Sequence, residues 1–283
     1  PNATYGDWLA YEPTDARYIS VAYYALDARY MAAMSRAIDR ADRAAHYDSL
    51  FEQVRDHFRR IYCNAEGDLN PEVRTQTGYL LALRNDLLLP ERRPAAVAAL
   101  KQKIIDNGYK LSTGFVGSCI LNEVLAEFGE NDLAYSLLLQ TENPSWLYSV
   151  HQGATTIWER WNSYTKATGF GDVGMNSFNH YAYGAVQEWM YRHIAGIETT
   201  EQAPGFAHPI LQPKPDTRSA EEIPAGQEKI TWVRTSFASP VGLIESAWDM
   251  TDGFTYTCRV PVAATLHLPL IGNAETLVIN GVA

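Results

Sequence analysis

The sequence is poor in the features that mark several common functional classes. No run approaches the roughly 18 consecutive apolar residues a membrane-spanning helix needs. It contains no HExxH, CxxC, GxSxG or GxxxxGK[ST] pattern, so metalloprotease, dithiol redox, serine-hydrolase and P-loop readings have no support. Cysteine is scarce: Cys63, Cys119 and Cys258 are an odd count without metal-ligand spacing, which excludes a disulfide framework and favours a reducing, cytoplasmic compartment over the periplasm or secretion. Basic charge is also in deficit, with 23 Lys+Arg against 33 Asp+Glu and a net charge of -10. Nucleic acid and anionic membranes are therefore not expected partners, because phosphate binding requires a basic face. No fixed-period repeat or low-complexity tract is present. There is no Met at the start and no signal-like segment. The chain opens at Pro1 almost directly on Tyr5-Gly6-Asp7-Trp8, so a start inside a longer protein is expected.

What is present is a chain of 283 residues, 46% hydrophobic and 20% charged, enough for a large core. Its first two thirds read as helical hairpins. Between about 15 and 40, Ile19, Tyr23, Leu26, Tyr30, Met34 and Ile38 recur at spacings of three and four and predict an apolar stripe turned inward. Further helices are expected over about 42–62, 75–89 (stopped by Pro90), 92–107 (stopped by Gly108), 113–128, 131–141 and 177–195. Their charge alternates. Residues 42–62 hold eight charged side chains, 75–89 only Arg84 and Asp86, 91–106 six, and 111–122 none. Charged helices face water and uncharged ones are covered, which suggests an outer ring wrapped on an inner ring. The alternation is imperfect, since 15–40 holds seven charges and 131–141 only Asp132.

After Gly196 the composition shifts. Pro204, Pro209, Pro213 and Pro215 read as a linker. Short β-like runs follow at 229–237, 242–248, 254–260, 264–268 and 276–279, separated by Ser239-Pro240, Asp252-Gly253 and Gly272-Asn273. They predict a small all-β sandwich. It stops at Ile279-Asn280-Gly281, a hairpin turn with no returning strand, so the end also reads as clipped.

The stretch 145–181 is long and irregular and carries Trp146, Trp158 and Trp161, with only Glu159, Arg160, Lys166 and Asp172 charged. If 156–161 is extended, Glu159 and Trp161 share a face. An indole covers the apolar face of a sugar, and an apolar surround suits a carboxylate to proton transfer. The alternative is that both tryptophans are core and Glu159 pairs with Arg160 or Arg192. Asp7 beside Trp8 is either a site or a helix cap with a packed indole. His180 is either a ligand contact or a structural histidine. The run 111–115 reads as a helix start capped by Ser112 or Thr113, and Cys119 as buried.

Taken together, these strings resemble the bacterial α-L-rhamnosidases, family 78 of the glycoside hydrolases. The resemblance is carried by Gly153-Ala154-Thr155-Thr156-Ile157-Trp158-Glu159-Arg160-Trp161-Asn162-Ser163 and Tyr5-Gly6-Asp7-Trp8-Leu9. It is carried as well by Gln76-Thr77-Gly78-Tyr79, Leu111 to Gly117, Pro144-Ser145-Trp146-Leu147-Tyr148, and Met175 to Ala182. It spans about residues 5–268 and implies a mainly α fold: part of an (α/α)6 toroid of the six-hairpin type over 1–203, then an incomplete C-terminal β-sandwich over 204–283. It implies inverting hydrolysis of terminal α-L-rhamnose from oligosaccharides or glycosides, with no metal or other cofactor. Glu159 matches the general base, His180 a substrate-contacting histidine and Trp8 a sugar-stacking tryptophan. Asp7, Trp158 and Trp161 match further motif positions on the substrate side. The family's general acid belongs to an Asp-Glu-Arg-Leu-Gly-Trp-like motif that this sequence lacks. The implied partner is therefore an N-terminal portion of the same enzyme, and the ring face toward it is expected to expose apolar surface. A toroid glycosidase for another sugar, or a carbohydrate-binding remnant without catalysis, are the alternatives.

Overall fold

The computed structural model describes residues 5–269 and 271. Pro1, the Gly272-Asn273 turn, the strand expected at 276–279 and the turn at 279–281 lie outside the described residues. The chain divides into two compact units, Pro1–Val186 and Gln187–Ala283. The division falls before the expected 203/204 boundary.

The first unit is built of helices α1 (Ala16–Ala37), α2 (Ala41–Tyr62), α3 (Gln76–Arg84), α4 (Arg93–Asp106), α5 (Phe115–Glu127), α6 (Asn131–Leu138) and α7 (Trp146–His151). Helix α1 starts where the Asp15 carboxylate accepts the N–H groups of Arg17 and Tyr18. It packs along α2 as a hairpin, while α3 packs on α4 and α5, and α5 on α6. The charge alternation of the sequence is realised in the burial. Helix α3 is buried from Gln76 to Leu83, and α5 over most of its length. The charged α2 and α4 bury only four residues each: Ala44, Phe51, Val54 and Phe58, and Ala96, Val97, Leu100 and Ile104. The one charge on α3, Arg84, reaches Glu123 of α5 at 3.1 Å, and Glu123 is itself buried.

Helix α1 departs from expectation. Its buried face carries Tyr18, Ile19, Ala22, Ala25, Ala28, Ala32 and Ser35. Of the stripe drawn in the sequence only Ile19 is buried; Tyr23, Tyr30, Met34 and Ile38 are exposed, Ile38 by 69%. Alanines admit close helix–helix approach, so packing selects the small-residue face and leaves the bulky one outward. Helix α3 ends at Arg84 rather than 89: Asp86 adopts φ 60, and the Leu87 N–H closes on the Ala82 carbonyl. No single helix spans 177–195. Residues 177–180 bond instead to the loop around Glu159, and the chain then forms a 3-10 turn (Ala182–Ala185), one α-turn α8 (Val186–Trp189) and a π-helical stretch (Met190–Ile194).

Between the helices, β1 (Tyr164–Thr165) and β2 (Gly169–Phe170) form a two-residue ladder. In the second unit β3 (Ile197–Glu198), β4 (Ile210–Leu211) and β8 (Thr265–Leu266) make a mixed sheet, β3–β4 antiparallel and β4–β8 parallel. Strands β5 (Trp232–Ser239), β6 (Gly242–Asp249) and β7 (Thr255–Arg259) make an antiparallel meander. Strand β6 alternates, burying Ile244, Ser246 and Trp248. Ala195, Ile197, Leu211 and Ile244 form the shared core, with Tyr191, Phe206, Val233 and Phe237 packed on it. Asp216 and Arg218, which no sequence pattern singled out, form a wholly buried bidentate pair at 2.9 and 2.7 Å. Among the described residues no helix is long and apolar enough to cross a membrane.

Candidate functional site

Three of the expected site residues, Asp7, Trp8 and His180, meet at the N-terminus of α5. The sequence suggested Ser112 or Thr113 as its cap. The helix instead begins at Phe115 with Gly114 at the cap position and no side-chain cap of its own. Ser112 donates to Glu12, and the Thr113 hydroxyl lies 2.7 Å from that of Ser118. The cap comes from Asp7. Its Oδ1 accepts the N–H groups of Val116 (2.8 Å) and Gly117 (3.2 Å). Its Oδ2 accepts the Gly114 N–H (2.8 Å) and the Thr77 hydroxyl (2.5 Å). The positive end of the helix favours a carboxylate there. Burial nonetheless pushes the Asp7 carboxyl above its ordinary range, since desolvation outweighs the four hydrogen bonds that pull the other way.

Asp7 was expected on the substrate. At 6% exposure, with both oxygens bonded to the protein, it holds the chain in place. Two glycines permit the approach. A Cβ on Gly114 would collide with the carbonyl oxygens of Asp7 and Trp8, and one on Gly117 with the Thr77 hydroxyl.

Trp8 follows directly. It is half-buried, edge-on to Tyr5 at 5.6 Å, and its carbonyl accepts the Phe115 N–H at 3.0 Å. The Phe115 ring in turn packs on His180 (4.7 Å between centroids) and Tyr183 (5.2 Å). Phe115 thus bridges two segments that sequence reading could only place separately. His180 is half-buried. Its N–H donates to the Ile157 carbonyl (2.9 Å), and its Nδ1 accepts the Ala182 N–H (3.3 Å). With Nδ1 accepting, the neutral ring carries its proton on Nε2.

Glu159 is 7% exposed. Its backbone N–H donates to the Ser177 carbonyl, and its Oε2 accepts the Ser177 N–H, both at 2.8 Å. It pairs with neither arginine considered from sequence: Arg160 donates to the Met175 carbonyl, and Arg192 binds Glu188 and Glu198. No extended strand forms over 156–161. Both tryptophans beside Glu159 are buried. Trp158 meets Phe178 and Tyr164 edge-on, and Trp161 stacks on Tyr183 at 3.8 Å and meets Trp146 edge-on. Cys119 is half-buried, its Sγ 3.3 Å from the Ala182 carbonyl. Among the described residues no three His, Cys, Asp or Glu side chains are grouped to hold a metal ion.

The structure thus links Asp7, Trp8 and His180 through Phe115, and His180 to the Glu159 segment through Ile157 and Ser177. Sequence reading missed Phe115, Thr77 and Ser177. Gly114 and Gly117 were a local signal, as markers of close backbone approach.

The family model described as the bacterial alpha-L-rhamnosidase six-hairpin glycosidase domain matches residues 1–194. That of the bacterial alpha-L-rhamnosidase C-terminal domain matches 196–280. Among curated relatives, an alpha-L-rhamnosidase of Formosa agariphila is 39% identical over 98% of this chain and 30% of its own length. One of Streptomyces avermitilis is 38% identical over 95% of this chain and 25% of its own. Among solved structures, the Streptomyces avermitilis alpha-L-rhamnosidase complexed with L-rhamnose matches with a TM-score of 0.84 at 38% identity, over 95% of this chain and 25% of that one. The native enzyme from Aspergillus terreus matches with a TM-score of 0.83 at 31% identity, over 94% and 31%. The chain therefore spans about a quarter to a third of the length of these relatives.

Proposed function

Since the chain belongs to the bacterial α-L-rhamnosidase family, with a six-hairpin glycosidase domain followed by that family's C-terminal domain, we propose that it carries half of a catalytic apparatus. In a polypeptide of the relatives' length it takes part in inverting hydrolysis of terminal non-reducing α-L-rhamnose from glycosides. Glu159 is the general base and removes a proton from the water that attacks the anomeric carbon. The general acid lies on a segment outside this sequence, which has no counterpart of the acid motif. The two carboxyls then stand ~6.5–9.5 Å apart with the water between them. Trp8 stacks on the sugar ring, and the Nε2–H of His180 donates to a sugar hydroxyl. Asp7 supports both by holding the α5 terminus, and Trp158 and Trp161 keep the surround of Glu159 apolar.

The observation that carries this reading is the state of Glu159. It is 7% exposed, forms no ion pair among the described residues, and is fixed through one oxygen by the Ser177 N–H. Its remaining oxygen takes no protein hydrogen bond among the described residues, which suits a group that must accept a proton from water. In a polypeptide of the relatives' length, Glu159→Gln should lower hydrolysis of an aryl α-L-rhamnoside by about 10²–10⁴-fold with substrate binding largely kept. The first product seen by NMR should be the β-anomer. Unchanged turnover would reject Glu159 as the base, and an initial α-anomer would reject inversion.

A further inference from the structure

The first unit holds a cavity of about 750 Å³ that none of Glu159, Trp8 or His180 lines. Its walls come from Tyr11 and Glu12, just after Trp8, from Arg74 and Tyr79 at the start of α3, and from the C-terminal part of α4. A smaller cavity of about 150 Å³ shares Arg74 and Tyr79 with it, so the two adjoin across these side chains.

The frame is fixed by the protein's own bonds. Gln76 is buried, donates to the Lys110 carbonyl at 3.1 Å and accepts the Ser112 N–H at 2.9 Å. Tyr11 is 52% exposed, yet its hydroxyl is held by the Asn143 carboxamide, 3.3 Å from Oδ1 and 3.0 Å from Nδ2. An exposed aromatic ring already held in place offers an apolar platform that loses little freedom when a ligand stacks on it.

The polar groups of the lining have bonds to spare. Arg74 directs its Nε–H to the Leu69 carbonyl at 2.7 Å and forms no ion pair among the described residues, which leaves its terminal amino groups to a ligand. Asp106 accepts the Gln102 carboxamide N–H at 2.7 Å and likewise has no ion pair among the described residues. The Asn107 carboxamide donates to the Lys110 carbonyl at 2.9 Å; its oxygen, like that of Gln102, accepts no protein hydrogen bond among the described residues. The Tyr79 side chain is buried, but its phenolic oxygen is open to solvent and has no protein partner among the described residues. Burial raises the pKa of that phenol, so it stays a neutral O–H able to donate and to accept.

The charges balance. Arg74 and Lys103 stand against Glu12 and Asp106, and Lys103 is already bound to Glu12 at 2.7 Å. A lining with equal charge of both signs favours neither an anion nor a cation. An apolar ligand would leave the spare donors and acceptors desolvated and unpaired. A ring whose hydroxyls both donate and accept satisfies them, giving its protons to Asp106 and the carboxamide oxygens and taking them from Arg74. The volume lies within the range of ligand pockets.

We propose that this cavity binds a neutral sugar ring, with an apolar face on Tyr11 and hydroxyls bonded to Arg74, Tyr79, Asp106 and the carboxamides of Gln102 and Asn107. That the polyhydroxyl ligand is a sugar rests on the glycosidase reading. The test reads binding and not hydrolysis, so its failure is distinct from a failure of Glu159 as the base.

The ¹⁵N-labelled 283-residue chain is titrated with L-rhamnose, D-glucose and D-galactose, and with cyclohexanol as a ring bearing one hydroxyl. Binding is followed at the Gln102 side-chain amide resonance, which Gln102→Met identifies. At least one of the sugars should move this resonance at concentrations about tenfold below those needed with cyclohexanol. The response should persist in Trp8→Ala, which removes the stacking ring proposed for the hydrolytic site. Tyr11→Ala should weaken binding about fivefold, and Asp106→Ala about tenfold or more. A resonance that responds to none of the three sugars overturns the proposal. So does an equal response to cyclohexanol, which removes the role of the hydroxyls, or a response lost in Trp8→Ala, which places the sugar at the hydrolytic site. Undiminished binding in both Tyr11→Ala and Asp106→Ala overturns it as well.

Discussion

The carboxylate of Asp7 caps α5 at the N–H of Val116, 109 residues further along the chain. A helix cap is ordinarily a local device, supplied by the residue just before the first turn. Here the cap position is Gly114, and the acceptor comes from the segment that carries Trp8. The hydrogen bonds that end the helix therefore also fix the tryptophan's backbone and, through Phe115, the place of His180.

Removing that carboxylate should be costly. Asp7→Ala leaves the N–H groups of Gly114, Val116 and Gly117 without their acceptor. At about 1–3 kcal/mol per buried unsatisfied group, a loss of about 3 kcal/mol or more is expected in urea unfolding. Asp7→Asn, which retains an oxygen, should cost less. A loss below about 1 kcal/mol for the alanine variant would show that water replaces the cap.

In the second unit, His193 should make stability depend on pH. Burial, with Lys214 and Arg192 nearby, lowers its pKa from 6.5 to about 3. Its Nε2 is buried without a partner, and its carbonyl accepts the Lys214 N–H. The folded pKa is depressed, so the unfolded chain binds the proton first as pH falls. Stability is full above pH about 6.5 and is lost toward pH about 3, by up to about 1.4 kcal/mol per unit. Between pH 7 and 4.5 the unfolding midpoint of the chain should fall relative to that of His193→Leu. Parallel midpoints would contradict this origin.

The Asp216–Arg218 pair should behave as a coupled unit. Arg218→Met strands a buried carboxylate and is expected to cost about 3–5 kcal/mol. Replacing Asp216 with Leu in the same chain should recover much of that loss, because the stranded charge is gone. Additive losses in a double-mutant cycle would show that the pair is not coupled.

The 283-residue chain by itself should release little or no nitrophenol from an aryl α-L-rhamnoside, since the proposed base is there without an acid motif. An aryl leaving group needs the least acid assistance, which makes this the most sensitive assay. Release at a near-native rate would reject the assignment of the acid to another segment.

Much of the helical architecture was legible because burial and charge trade off along a sequence. Nearly uncharged α3 and α5 had to be covered, and charged α2 and α4 had to face water. The glycine stop at Gly108 holds, with φ 67. Helix α1 was misread for a physical reason: periodicity identifies an apolar stripe, but close packing chose the alanine face beside it. The helix expected over 177–195 failed differently. The backbone groups of residues 177 and 180 are claimed by Glu159 and Ile157, an interaction with no period to detect. In the same way, β3 and β4 turned an apparent linker into part of a sheet.

The sequence alone determined the family and the succession of helical hairpins and β-strands, because those follow from residue type, spacing and motif order. It left open whether Asp7 faces substrate or protein, whether Trp161 is a ring for a sugar or a wall, and what holds His180. Only the tertiary structure decided that Asp7 closes a distant helix, that Trp161 stacks on Tyr183, and that Phe115 joins Trp8 to His180. The reason is that a side chain's partners are set by which segments meet in space. Segments more than 60 residues apart along this chain meet through backbone amides and ring faces, which sequence spacing does not encode.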